Sequence, residues 1–285
     1  MGSQNSKDSE LDIYMEVNKP FYVAGDYVEG CVYLDVKENR QYKNLVVRLV
    51  GKEYVRPNLE EIDDFYEGEN SYENYDSVFT LKDFGGNVEK GQRAFPFSFL
   101  LPSSMSGSYN QSDTEYIRYD LKAVLNHPTD LEKNQMYELH LNVMEPLRKP
   151  SGKLVSEKTT NAKCCGVMSY GNIRVGIKCD KNFVMNGEQI EVEVSVNNEE
   201  GSKEVQGGNV ILEERRTNIF QNERTFTKSN TIMEIGKIGP TSSGKRQSCT
   251  FKGIIPAKFS GYTAIGRIVS RFYVISIKTE VGYFS

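Results

Sequence analysis

One stretch of this chain occurs twice. Residues 13–36, IYMEVNKPFYVAGDYVEGCVYLDV, align without a gap to residues 175–198, VGIKCDKNFVMNGEQIEVEVSVNN, at an offset of 162. Five of the 24 positions are identical: Lys19/Lys181, Phe21/Phe183, Gly25/Gly187, Glu29/Glu191 and Val32/Val194. Unrelated segments would share about one or two at ordinary residue frequencies. The unit reads as strand, turn, strand: the glycine permits the turn backbone and the acid behind it stays in water. A second echo follows, FSFLLP ending at Pro102 against FKGIIP ending at Pro256. Such a duplication points to two similar units, and its spacing is too long for a solenoid.

The units are expected to be made of strands. Tyr, Val, Ile, Phe and Thr alternate with polar residues in Val28–Val36, Leu45–Val50, Phe95–Leu101, Ile117–Leu125 and Tyr137–Val143. The second half does the same in Ile173–Cys179, Ile190–Val196, Val210–Glu213 and Ile268–Lys278. No stretch keeps a 3.6-residue apolar period over three turns. The expected fold class is all-β: two tandem antiparallel β-sandwiches. The boundaries read from the sequence are a flexible N-terminus at 1–10, a first domain at 11–147, a Lys- and Pro-containing linker at 148–168 and a second domain at 169–285.

Charge divides along the same line. The net charge of −4 splits into −9 for residues 1–160, with 18 Lys+Arg against 27 Asp+Glu, and +5 for residues 161–285, with 17 against 12. The overall balance argues against a general nucleic-acid binder. It leaves an acidic half suited to basic protein segments and a basic half suited to an anionic membrane surface. There is no run of 18 apolar residues for a membrane helix, and MGSQNSKDSE holds no hydrophobic leader. The five cysteines, an odd number without a leader, read as reduced thiols in the cytosol. No C-x-x-C occurs, so the cysteines announce no metal site. The two histidines, His127 and His140, stand in no nucleophile motif. Neither catalytic residues nor a cofactor is expected, and the chain reads as a binding protein rather than an enzyme.

Several strings, in order and spacing, resemble the arrestin fold, and most of all the arrestin-domain-containing proteins, the α-arrestins. In the first half these are AGDYVEGCVYLDV (24–36), LVVRLVGKEYV (45–55), FPFSFLLPSS (95–104) and IRYDLKAVL (117–125). The second half offers the Cys164-Cys165 pair, NFVMNGEQIEVEVSVNN (182–198), and IIPA with a final strand (254–278). The resemblance covers nearly all of 11–282 and implies tandem arrestin N- and C-domains. It further implies an adaptor in membrane-protein trafficking, in endocytosis or endosomal sorting. Such an adaptor binds cytoplasmic tails of membrane proteins and sorting machinery, is cytoplasmic, and is peripheral at the plasma or endosomal membrane. Two departures qualify it. None of the nine prolines is followed by another, so the PPxY motif that recruits ubiquitin ligases in many α-arrestins is missing. The first strand region, LDIYMEVNK (11–19), carries two acids and one base where phosphate-sensing arrestins are basic. The alternative on the same fold is a constitutive coat subunit similar to the arrestin-like subunit of retromer.

Four motifs remain. MGSQNS fits M-G-x-x-x-[ST], with Gly2 as the myristoyl acceptor. One such chain binds membranes only marginally, so a second signal is needed. Cys164 and Cys165 read as structural thiols, with S-acylation as the alternative. GPTSSGKR (239–246) approaches a phosphate-binding loop but has Arg246 where the hydroxyl residue belongs, and reads as a hairpin loop. EEIDDFYEGENSYENYD (60–76), with eight acids, reads as a solvated loop whose Tyr66, Tyr72 and Tyr75 stand ready for a partner or for phosphorylation.

Overall fold

Alternation sets the strands, and burial follows it residue by residue. In Leu11–Val17 the side chains of Leu11, Ile13 and Met15 are buried while Asp12, Tyr14 and Glu16 face solvent. The computed structural model describes residues 3–5, 11–56, 69–146, 152–164, 168–181, 184–221, 223–257 and 263–281. In chain order the first strands are β1 (Ser3–Asn5), β2 (Leu11–Val17), β3 (Tyr22–Val23), β4 (Tyr27–Val36), β5 (Asn44–Val55), β6 (Asn70–Asp83) and β7 (Gly91–Leu100). Next come β8 (Tyr109–Ser112), β9 (Glu115–Asn126), β10 (Gln135–Leu141), β11 (Val143–Met144), β12 (Leu154–Cys164) and β13 (Met168–Cys179). The last are β14 (Gln189–Asn197), β15 (Val205–Ile219), β16 (Thr225–Ile238), β17 (Arg246–Ile254), β18 (Ala264–Ile265) and β19 (Val269–Val281). The described helical content is one 3₁₀ turn, Leu131–Lys133. The fold is all-β, and its sheets are antiparallel apart from the short parallel pair β11–β3.

The chain forms two compact units. Unit 1 comprises residues 1–146 together with 216–227 and 262–271. A sheet ordered β1-β10-β9-β5-β6, with β8 also on β9, and a three-stranded sheet β2-β4-β7 enclose its core. Val28, Val32 and Leu34 of β4 meet Leu45, Val47 and Leu49 of β5 and Leu121, Ala123 and Leu125 of β9 there, all at most 1% exposed. Each buried Val or Leu contributes about 1.5–3 kcal/mol relative to exposure. Unit 2 comprises residues 147–215, 228–261 and 272–285. Its core gathers Ile190, Val192, Val194 and Val196 from β14, Val210 and Leu212 from β15, and Ile235 and Ile238 from β16.

Segment 262–271 is fixed to unit 1 by a buried side chain. Glu53 of β5 is 1% exposed. Its Oε1 accepts from the backbone N–H of Arg267 at 3.0 Å, and its Oε2 from those of Ile268 at 2.8 Å and Val269 at 3.3 Å. Asn74 Nδ2 donates to Oε1 at 3.3 Å. The single division between domains read from the sequence therefore misses two excursions of the later chain into unit 1.

The sequence repeat is repeated in three dimensions. Gly25 has φ +97° and Gly187 φ +79°, both in the region that favours glycine. Asp26 N–H donates to Val23 O at 2.8 Å, and Glu188 N–H to Met185 O at 3.0 Å. Each acid also accepts back across its turn, Asp26 from Val23 N–H and Glu188 from Met185 N–H, and each pairs with the repeated lysine, Lys19 or Lys181. The second echo keeps register too. Tyr27 faces Leu100 and Gln189 faces Ile254, while Leu101 N–H donates to Asp26 O and Ile255 N–H to Glu188 O.

Three expectations are corrected. Within the stretch read as a linker, 154–164 is the strand β12, which ends the sheet β12-β13-β14-β17. Its side chains from Leu154 to Asn161 are all exposed, so the sequence carried no buried period to reveal it. Of the acidic run 60–76, residues 60–68 lie outside the described residues, but 70–76 open β6 and pair with β5. Arg48 holds Asp76 through two bonds, Nε to Oδ1 at 2.8 Å and Nη2 to Oδ2 at 2.6 Å. Tyr72 and Tyr75 pack against the core of unit 1, so they are not presented on a loop; Tyr66 is outside the described residues. Finally, 239–245 is no hairpin: β16 and β17 belong to different sheets, and a strand, not a helix, follows Lys245.

Candidate functional site

The outer face of β2-β4-β7 carries a patterned set of acidic and aromatic side chains. Register stacks its outward side chains in rows across the sheet. Asp12, Asp35 and Gln92 form one row, Tyr14, Tyr33 and Ala94 the next, and Glu16, Cys31 and Pro96 the third. Glu29 stands beside Ser98 and Tyr27 beside Leu100 farther along. The inward neighbours Leu11, Ile13, Val32, Leu34, Phe97 and Phe99 are buried, and that burial fixes which residues point out.

A tyrosine row thus lies between two acidic rows. Tyr14 and Tyr33 stack with centroids 6.0 Å apart, and Tyr137 meets Tyr14 edge-on at 5.2 Å. The Tyr33 hydroxyl donates to Glu16 Oε1 at 2.7 Å, and that bond to a carboxylate raises its pKa above the ordinary phenol value. Lys37 pairs with Asp35, lowering its pKa, and lies 3.9 Å from Asp12. Asn18 Nδ2 donates to Glu29 at 2.8 Å. Tyr14, Tyr27 and Leu100 are 47%, 59% and 53% exposed, a larger apolar offering than solubility requires. A shallow groove of about 370 Å³ runs along the first two rows, with Leu34 at its floor and Arg93 on its rim. Carboxylates flanking aromatic rings suit an ammonium or guanidinium group, by ion pairing and by contact with the ring faces. Among the described residues no strand pairs with the outer edge of β2, and β10 comes alongside it through the Tyr14–Tyr137 contact.

The lipidation residues singled out in the sequence stand apart from this face in the chain. Gly2 and Cys165 lie outside the described residues, and Cys164 is described only as the end of β12. Cys31, Cys179 and Cys249 are free thiols, and burial raises the pKa of Cys179. No helix among the described residues is long and apolar enough to cross a membrane. The acidity of 11–19 was visible in the sequence; the rows were not, because they need the pairing of three strands. Alternation within β2 and β4 was the signal that would have placed Tyr14 and Tyr33 on a solvent face.

Comparison with known proteins agrees with the fold. The family described as "Arrestin (or S-antigen), N-terminal domain" matches residues 11–148. The chain is similar to "Arrestin domain-containing protein A" of Dictyostelium discoideum, 21% identical over 289 residues, covering 96% of this chain and 49% of that relative. It is similar also to "Arrestin domain-containing protein C" of the same organism, 29% identical over 119 residues, 41% of this chain and 17% of the relative. The chain therefore spans about half the length of the first relative and less of the second. Residues 11–148 thus match the arrestin N-terminal domain, and over nearly its whole length the chain is similar to an arrestin-domain-containing protein.

Proposed function

We propose that this chain is an arrestin-like adaptor in membrane-protein trafficking that holds Lys/Arg-rich cytoplasmic tails on the outer face of β2-β4-β7. The observation that carries the reading is the tyrosine row between two acidic rows. The tail adds along β2 as an extended strand, its main chain bonding to the strand edge. Side chains two apart then face successive rows, so basic residues at i and i+4 meet Asp12 and Glu16 while the residue between them rests on Tyr14. The function is binding; no bond is made or broken, and no cofactor takes part. Sorting proteins are the other partners, at the plasma or endosomal membrane. A myristoyl group on Gly2 and the net-positive second half supply two weak membrane signals that act together.

Fluorescence anisotropy with a labelled tail peptide bearing Lys or Arg at i and i+4 tests this directly. The peptide should bind, weaken with salt, and lose about tenfold in affinity to the double variant Asp12→Lys, Glu16→Lys. A peptide with Glu at the same positions should not bind. Equal affinity for both peptides, or an unchanged affinity of the variant, would remove the face as the site. Labelling with an alkyne myristate tests the anchor: wild type should take the label and Gly2→Ala should not.

A further inference from the structure

β9 and β10 run side by side, and their register puts His140 directly opposite Asp120 and Glu138 directly opposite Lys122. Glu138 and His140 are two apart on β10, so they share a face with Asp120. His140 Nδ1 lies 2.5 Å from Asp120 Oδ1, and one ligand atom from each of Asp120, Glu138 and His140 lies within 4.8 Å of the other two. β1 flanks β10 and β5 flanks β9, so both backbones carrying these groups are held on each side.

We infer that Asp120, Glu138 and His140 form a binding site for a divalent transition metal, with zinc the best fit. Zinc bonds nitrogen and carboxylate oxygen at about 2.0–2.2 Å, which sets donor atoms about 3.3 Å apart in a tetrahedron. The three donors, each within 4.8 Å of the other two, already lie close to that spacing. An imidazole ligand selects zinc over magnesium and calcium, which take oxygen alone. Two carboxylates balance the charge of the dication. With His140 exposed, water fills the fourth position. One group competes: Lys122 Nζ sits 2.9 Å from Glu138 Oε2 and must release it. Among the other bases on this face, Arg118, two before Asp120, is engaged by Asp113, and Arg48, opposite Lys122, by Asp76. No ligand spacing in the sequence announces the site, because Asp120 and His140 meet only through strand register.

The test is isothermal titration of the untagged full chain with zinc chloride, alongside the visible spectrum of the cobalt-loaded protein. Wild type should take up one zinc per chain, and cobalt should give the intense absorption of a four-coordinate site. H140A and D120N should each weaken binding by at least about tenfold. H127A should bind as wild type, and K122M should bind more tightly, a gain that misfolding cannot produce. Absence of zinc binding by wild type at millimolar concentration would overturn the proposal. So would binding that persists undiminished in H140A, since the metal would then be held elsewhere, for instance by thiols.

Discussion

Glu53 shows how much one side chain can carry. A carboxylate removed from water needs its hydrogen bonds replaced, and here three successive backbone N–H groups and Asn74 replace them. Truncation leaves those N–H groups unmet, so Glu53→Ala should cost about 3 kcal/mol in urea unfolding. Glu53→Gln, which keeps one acceptor oxygen, should cost less, and amide exchange at 267–269 should quicken in both. Unchanged exchange there would show that the carboxylate does not hold the segment. Arg48 and Asp76 carry a pH dependence instead. The guanidinium holds the Asp76 carboxyl below its ordinary pKa, so the pair's contribution is complete above the unfolded value of about 4 and is lost as pH falls through the folded one. Asp76→Asn should therefore lose less stability than wild type between about pH 5 and pH 2. Neither residue was legible as a partner in the sequence: Glu53 bonds to backbone 214 to 216 positions away.

At the scale of elements, the two turns of the repeat make a matched pair. Gly25 and Gly187 occupy the same positive-φ position, each followed by an acid that closes the turn and pairs with a lysine. An added Cβ strains that backbone by about 1–2 kcal/mol. Gly25→Ala and Gly187→Ala should thus each lower stability by that amount, read as separate shifts in thermal unfolding. No loss at either position would mean that the turns can relax. These elements were legible because glycine, acid and flanking alternation all agree locally. β6 and β12 were not. β6 has its inward Tyr72, Tyr75, Phe79 and Leu81 interrupted by half-buried Asn74 and Ser77 and by a register shift at Gly51/Lys52. β12 is an edge strand whose exposed side chains have no apolar period to display.

For the whole molecule, duplication and charge were the readable features. Two sandwich units follow from the repeat, and the match to the arrestin N-terminal domain lies in the half with the acidic balance. Net charge alone said nothing about where the acids lie. Strand pairing places Asp12, Glu16, Glu29 and Asp35 on one sheet face around three exposed tyrosines, and the proposed binding of a basic tail rests on that placement. The two Asp120 and His140 side chains were likewise invisible as a pair until β9 met β10. Hydrogen–deuterium exchange of the full chain, with and without a Lys/Arg-rich cytoplasmic-tail peptide, tests the central claim most directly. The account predicts slowed exchange in β2, β4 and β7, strongest in Leu11–Val17 where the tail adds as a strand. Protection confined to residues 154–281, with β2 unchanged, would contradict it.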